Sequence, residues 1–339
     1  MRAWVIAAAV FAGAFLLWNV LAASIPVLLL LFTAMLLAAA LQPIVNRLST
    51  RVSYGAAVGI TFGVAIVGIA GLGFALLQPV AAELAKLVAA VPSYASALQI
   101  QLASAQRYIE NDVTARQLAS ALANSVSGAA SAIGVSLLGG PKLVATAIGD
   151  GVLIVLLAIG WMLTAGELER FVLGLIPPKP RENWRAAFAD IGVRLGAYVQ
   201  GVVINGAVVG VVMSASLAIL GVPYALLLGF VSAIFQAIPM IGGVISGPIV
   251  LLVALATSGW EKTLIVLVIF TVVQVIDGNV LTPIIFGQRV QLSFLLIIFS
   301  TVVGGTLLGI NGAFLAVPAA AALQVIVVRI LAPAIRSAH

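Results

Sequence analysis

The chain has 339 residues, 63% of them hydrophobic and 8% charged, with 16 Lys plus Arg, 10 Asp plus Glu and one His. Soluble proteins are roughly half apolar and about one quarter charged, so a soluble fold of this composition would expose much of its apolar surface to water. That excludes a soluble enzyme, a disordered chain and a nucleic-acid binder. The lack of Cys removes disulfides and thiolate chemistry, and the sole His, His339, excludes His-based catalysis.

A helix needs about 20 mostly apolar residues to cross about 30 Å of hydrocarbon. Candidate spans are residues 4–21, 25–41, 55–77, 143–165 and 198–220. Arg2 ahead of the first run and Ala22-Ala23-Ser24 behind it resemble a cleavable signal. A second span follows at once, however, so the two are expected to form a retained hairpin. Three apolar stretches come later: residues 222–257, interrupted at Pro239 and Pro248; residues 263–276; and residues 292–331, interrupted by Gly304, Gly305, Gly309, Gly312 and Pro318. The fold class expected is an all-α polytopic membrane protein. It has about eight hydrophobic passes, with Pro- and Gly-broken or re-entrant helices in the C-terminal half.

Basic residues in short loops mark the cytoplasmic side. Arg47 and Arg51 put the loop after the second span there, together with the N-terminus. Arg170, Lys179, Arg181, Arg185 and Arg194 do the same for residues 166–197, and Arg329 and Arg336 for the C-terminus. The expected domains are residues 1–80 with three spans, an extracytoplasmic insert at 81–142, a fourth span at 143–165, a cytoplasmic loop at 166–197 and a transport core at 198–339. In the insert, Leu84, Leu87, Val88 and Val91, and then Leu118, Leu122 and Val126, recur at helical spacing. Trp184, Phe188, Ile191 and Leu195 fall on one helix face beside several Arg, the pattern of a helix lying in the membrane interface.

The chemistry concentrates in the broken C-terminal half. Gln236, Pro239, Gly242 and Gly243 combine helix breakers with a polar side chain at membrane depth. So do Asp277, Asn279 and Pro283, and then Gly304, Gly305, Gly309, Asn311 and Gly312. Transporters break helices this way so that freed backbone groups and half-helix ends can bind solute or ions near the midplane. Close helix packing accounts for glycines equally well. A weak likeness links residues 226–232 to 294–300. Two carboxylates, Asp150 and Asp277, sit inside or at the edge of spans. Such costly groups mark sites for a cation or proton. An intramembrane aspartyl protease built on this pair is disfavoured, because Ala147 replaces the first Gly of the Gly-x-Gly-Asp pattern and no Tyr-Asp partner motif exists. The chain has no phosphate-binding loop, no HExxH and no Gly-x-Ser-x-Gly elbow. No enzyme, cofactor or metal centre is expected.

Three marks point further: Ile238-Pro239-x-Ile241-Gly242, Asp277-Gly278-Asn279-x-x-x-Pro283-x-x-x-Gly287, and Gly304-Gly305-x-x-x-Gly309-x-x-Gly312-x-x-x-Ala316-Val317-Pro318. With the span layout and Tyr198-Val199-Gln200-Gly201, the chain resembles the autoinducer-2 exporter family of PerM-like permeases along essentially its whole length. The resemblance implies a bacterial inner-membrane exporter of a small polar solute such as the quorum-sensing signal autoinducer-2. Some members are similar to sodium/proton antiporters. The alternatives carried forward are a cation/proton antiporter and an uncoupled scaffold or channel-like oligomer. Expected partners are a small polar solute, Na+ or H+, membrane lipid and further copies of the chain.

Overall fold

A computed structural model describes residues 2–108, 140–238, 241–286 and 292–336. Every regular element among them is helical: α1 (Arg2–Leu48), α2 (Tyr54–Tyr108), α3 (Gly140–Leu175), α4 (Arg181–Ile219), α5 (Ala225–Phe235), α6 (Gly242–Ile276), α7 (Thr282–Phe286), α8 (Phe294–Ile326) and α9 (Ala332–Arg336). Lipid offers the backbone no hydrogen bonds, so helices that satisfy their own amides are the expected solution. Among the described residues, six segments are long and apolar enough to cross a membrane: Ala23–Leu48, Tyr54–Ala90, Gly149–Leu175, Arg181–Ile219, Gly242–Ile285 and Asn311–Leu331. Two shorter apolar helices, Ala225–Phe235 and Phe294–Gly309, accompany them. Large apolar side chains such as Val67 and Phe74 on α2 are more than two-thirds exposed, the inside-out surface of a chain solvated by lipid.

Two expectations change. The anticipated hairpin at residues 4–41 is one helix of 47 residues, α1, about 70 Å long at 1.5 Å per residue. Ala22, Ala23 and Ser24 do not open a turn: Ala is the strongest helix former, and Ser24 Oγ donates back to the Val20 carbonyl at 2.7 Å within the helix. The two-crossing count that placed the N-terminus beside Arg47 no longer applies. Likewise, the interfacial helix and the following span merge into α4, because no Pro separates Leu195 from Tyr198 and the helix runs through Gly196. In the expected insert, α2 continues to Tyr108; Leu118, Leu122 and Val126 lie outside the described residues.

Helix α4 is the hub, touching α1, α3, α5, α6, α7 and α8. Its buried stripe includes Gly196, Gly201, Gly206 and Gly210. Small residues there bring backbones close, as membrane helices require: a methyl at Gly206 would meet the Ala233 carbonyl, and one at Gly196 the Ala39 carbonyl. One apolar cluster joins α1, α2 and α3 through Ala34, Val45, Phe62, Ala158 and Met162. Another joins α4 and α5 to α6 through Met213, Leu217, Leu228, Val250, Ala254, Val266 and Phe270.

Helices α6 and α8 are each folded in two. Gly259 (φ 79°, ψ 174°) and Gly309 (φ 64°, ψ −149°) reverse the chain in backbone conformations that side-chain-bearing residues rarely adopt. Across the first turn, Gly247 faces the Phe270 ring and Gly243 faces the Gln274 carboxamide. Across the second, Gly304 and Gly312 bring their backbones together. Each returning arm ends in a five-residue π-helical turn, Asp277–Leu281 or Val327–Leu331, and then in a short helix with Pro at its second position, Pro283 or Pro333. The two units correspond fifty positions apart: Gln274-Val275-Ile276, Leu281, Pro283 and Ile285 match Gln324-Val325-Ile326, Leu331, Pro333 and Ile335. This register, rather than the likeness of residues 226–232 to 294–300, is the one the secondary structure follows.

Candidate functional site

The stretch expected to break near Pro239 does break, between Phe235 and Gly242. Gln236 ends α5 and is 4% exposed. Tyr198 on α4 pins the next residue, its hydroxyl donating to the Ala237 carbonyl at 3.2 Å. Gln236 is thereby held against the returning arm of the first hairpin. Its Nε2 donates to Asp277 Oδ2 at 2.9 Å and to Gln274 Oε1 at 3.3 Å.

Asp277 opens the first π-helical turn and is 9% exposed. A π turn inserts one extra residue per turn, and such turns recur at functional sites because they re-aim a side chain out of helical register. Asp277 Oδ1 is buried and has no hydrogen-bond partner among the described residues. A buried carboxylate with half its acceptor capacity unmet is unfavourable. A proton or a cation on Oδ1 relieves that cost, and the Gln274 and Gln236 carboxamides offer further polar atoms close by. Gly243 belongs to the same assembly, since a methyl there would overlap the Gln274 carboxamide.

A family model for AI-2E family transporters matches residues 5–332, almost the whole chain. The chain belongs to the AI-2E transporter family. It is 28% identical to the Mycobacterium tuberculosis protein MT0215 over 312 residues, covering 88% of this chain and 80% of that one. It is 32% identical to YrrI of Bacillus subtilis over 164 residues, covering 48% of this chain and 46% of YrrI. The match thus spans just under half the length of that relative. To the AI-2 transport protein TqsA of Escherichia coli K12 it is 33% identical over 111 residues, covering 33% of this chain and 32% of TqsA.

Within this AI-2E transporter, only some of the anticipated residues converge. Asp277 and Gln236 touch, and Gly242 and Gly243 are buried at the start of α6 beside them. Asn279 does not join, because it is exposed and its Nδ2 bonds back to the Val275 carbonyl at 2.9 Å. Pro283 and Asn311 are also exposed, and Pro239 lies outside the described residues. Gly304, Gly305, Gly309 and Gly312 build the second hairpin instead. Asp150 is half-buried on α3, which packs on α1, α2 and α4 rather than on the first hairpin, so the two acids form no dyad. Gln274 was legible only as one polar residue in a span; its position three residues before Asp277, one helical turn away, was the available signal. Among the described residues, no three His, Asp or Glu side chains gather as metal ligands.

Proposed function

We propose that this AI-2E transporter is an ion-coupled carrier of the bacterial inner membrane that exports a small polar solute. The observation that carries the reading is the buried Asp277 carboxylate, with one oxygen held by Gln236 and the other unpartnered, at the end of a folded hairpin. Protonation or Na+ binding at Oδ1 would change the charge of this site. Relief of that charge is the trigger for the hairpin to shift against α4 and α5. The name of TqsA, an AI-2 transport protein, supports a small polar solute of the AI-2 kind. Broken helices facing a bundle interior are the usual means of binding such solutes near the midplane.

The charge distribution supports an orientation. Arg47, Arg51 and the basic residues between Arg170 and Arg194 favour the cytoplasm, and the Arg329–Asp190 ion pair lies at the same end as α4's first turns. Lys262 beside Gly221, and Glu83 accepting the Leu227 amide at 2.8 Å, then belong to the outer end. The test is reconstitution in vesicles under an imposed Na+ or pH gradient. Saturable uphill solute movement is expected. Sodium-driven proton flux without any added solute would instead indicate a cation/proton antiporter, and passive non-saturable flux a channel.

A further inference from the structure

The second hairpin unit carries a cavity of about 550 Å³ between its returning arm and the first four turns of α4, within the size range of small-molecule sites. Asn183, Asp190 and Arg194 line one wall, on one face of α4, and Gln324, Val328 and Arg329 the other. Arg329 Nη2 and Asp190 Oδ2 are paired at 2.5 Å, which neutralises both. Arg194 has no ion-pair partner among the described residues and is half-buried, so the walls keep one positive charge. Gln324 Oε1 is buried with no hydrogen-bond partner.

The repeat makes that last atom informative. Gln324 stands fifty positions after Gln274, in the same place before the π turn. In the first unit Gln236 donates to Gln274 Oε1. In the second, no group among the described residues donates to Gln324 Oε1. We propose that this cavity binds a small anion bearing a hydroxyl group, of glycerophosphate type. Its anionic oxygens sit on Arg194 as a charge-assisted pair, its hydroxyl donates to Gln324 Oε1, and Asn183 completes the polar mouth. A cationic occupant is disfavoured by Arg194. The same chemistry occurs in a free hydroxylated anion and in a phosphatidylglycerol headgroup. The proposal stands independently of ion coupling at Asp277, because it concerns binding alone.

The test is calorimetric titration of full-length protein with sn-glycerol 3-phosphate and with ethyl phosphate, in nanodiscs of phosphatidylcholine and, separately, of phosphatidylglycerol. Saturable binding of glycerol 3-phosphate in phosphatidylcholine discs is expected. Arg194→Gln should weaken it at least tenfold and Arg194→Lys less. Gln324→Leu should abolish the preference for glycerol 3-phosphate over ethyl phosphate while leaving ethyl phosphate binding in place. Equal affinity in both discs supports a soluble occupant. Loss of the signal in phosphatidylglycerol discs, with Arg194-dependent lipid retention by native mass spectrometry, supports the headgroup. Absence of binding in phosphatidylcholine discs, or wild-type titrations from folded Arg194→Gln and Gln324→Leu proteins, overturns the proposal.

Discussion

Gln236, at the end of one short helix, holds Asp277, at the end of a folded hairpin, by a 2.9 Å hydrogen bond that reaches only one of the two carboxylate oxygens. The contact links a helix break to a π turn, so a change of charge at Asp277 bears directly on how two broken elements sit together. Gln236→Leu would leave a buried carboxylate with no donor at all. A buried charged group stripped of its partner costs about 1–3 kcal/mol or more. The expected result is a drop of roughly 2 kcal/mol in unfolding free energy in detergent, shrinking to a fraction of that in an Asp277→Leu background. Equal losses in both backgrounds would show that the pair is not coupled.

Gly243 and Gly278 make a matched comparison. A methyl at Gly243 would overlap the Gln274 carboxamide, whereas one at Gly278 has nothing within 4 Å. Gly243→Ala should therefore disturb the Gln274–Gln236–Asp277 network and lower solute flux several-fold at normal protein levels. Gly278→Ala should leave flux near wild type and hold or raise thermal stability, because Ala is the better helix residue by roughly 1 kcal/mol. Flux assays alongside thermal melts of both variants read the difference.

The two chain reversals depend on backbone conformation and not on space. Gly259 and Gly309 have φ of 79° and 64° with no neighbouring atom to block a side chain. Ala at either position carries backbone strain of about 1–3 kcal/mol, because positive φ with extended ψ is essentially a glycine conformation. Gly259→Ala and Gly309→Ala should each lower the midpoint of denaturant-induced unfolding. A neutral result at both would mean that the hairpins turn elsewhere.

The cysteine-free sequence suits topology mapping by single cysteines. With Arg47 and Arg51 cytoplasmic, Thr50→Cys should react with a membrane-impermeant maleimide only after the cells are opened. Glu261→Cys, at the tip of the first hairpin, should react in intact cells. The reverse pattern would invert the orientation.

Much of this arrangement was readable because Gly and Pro punctuate the C-terminal half. The break after Gln236 and the reversal at Gly309 fall where the breakers cluster, and Asp277 stood out as a carboxylate that no loop explained. The N-terminal half was harder to read. Ala22-Ala23-Ser24 resembles a cleavage site, but Ala is the strongest helix former and the helix runs through it, with the Ser24 hydroxyl bonded back to the Val20 carbonyl. Asn279 reads as pathway lining because it is polar and adjacent to Asp277; its side-chain amide bonds back to the Val275 carbonyl and not to Asp277. Gln274 was passed over because its partner Gln236 lies 38 residues away, a contact set by tertiary folding. The fifty-position correspondence was masked by apolar residues that match by chance at many offsets, and became visible only when both π turns were located.

The central claim is that the Asp277 carboxylate couples an ion to solute export. The most direct measurement is gradient-driven solute flux in vesicles reconstituted with wild-type protein and with Asp277→Asn, which keeps the size of the side chain and one acceptor oxygen for Gln236 but replaces the other oxygen with an NH2 donor and removes the titratable charge. The account predicts that Asp277→Asn, folded and inserted at wild-type levels, loses uphill transport and its dependence on the Na+ or pH gradient, while any residual downhill exchange becomes insensitive to pH. Full uphill flux with an unchanged gradient dependence in Asp277→Asn would contradict it.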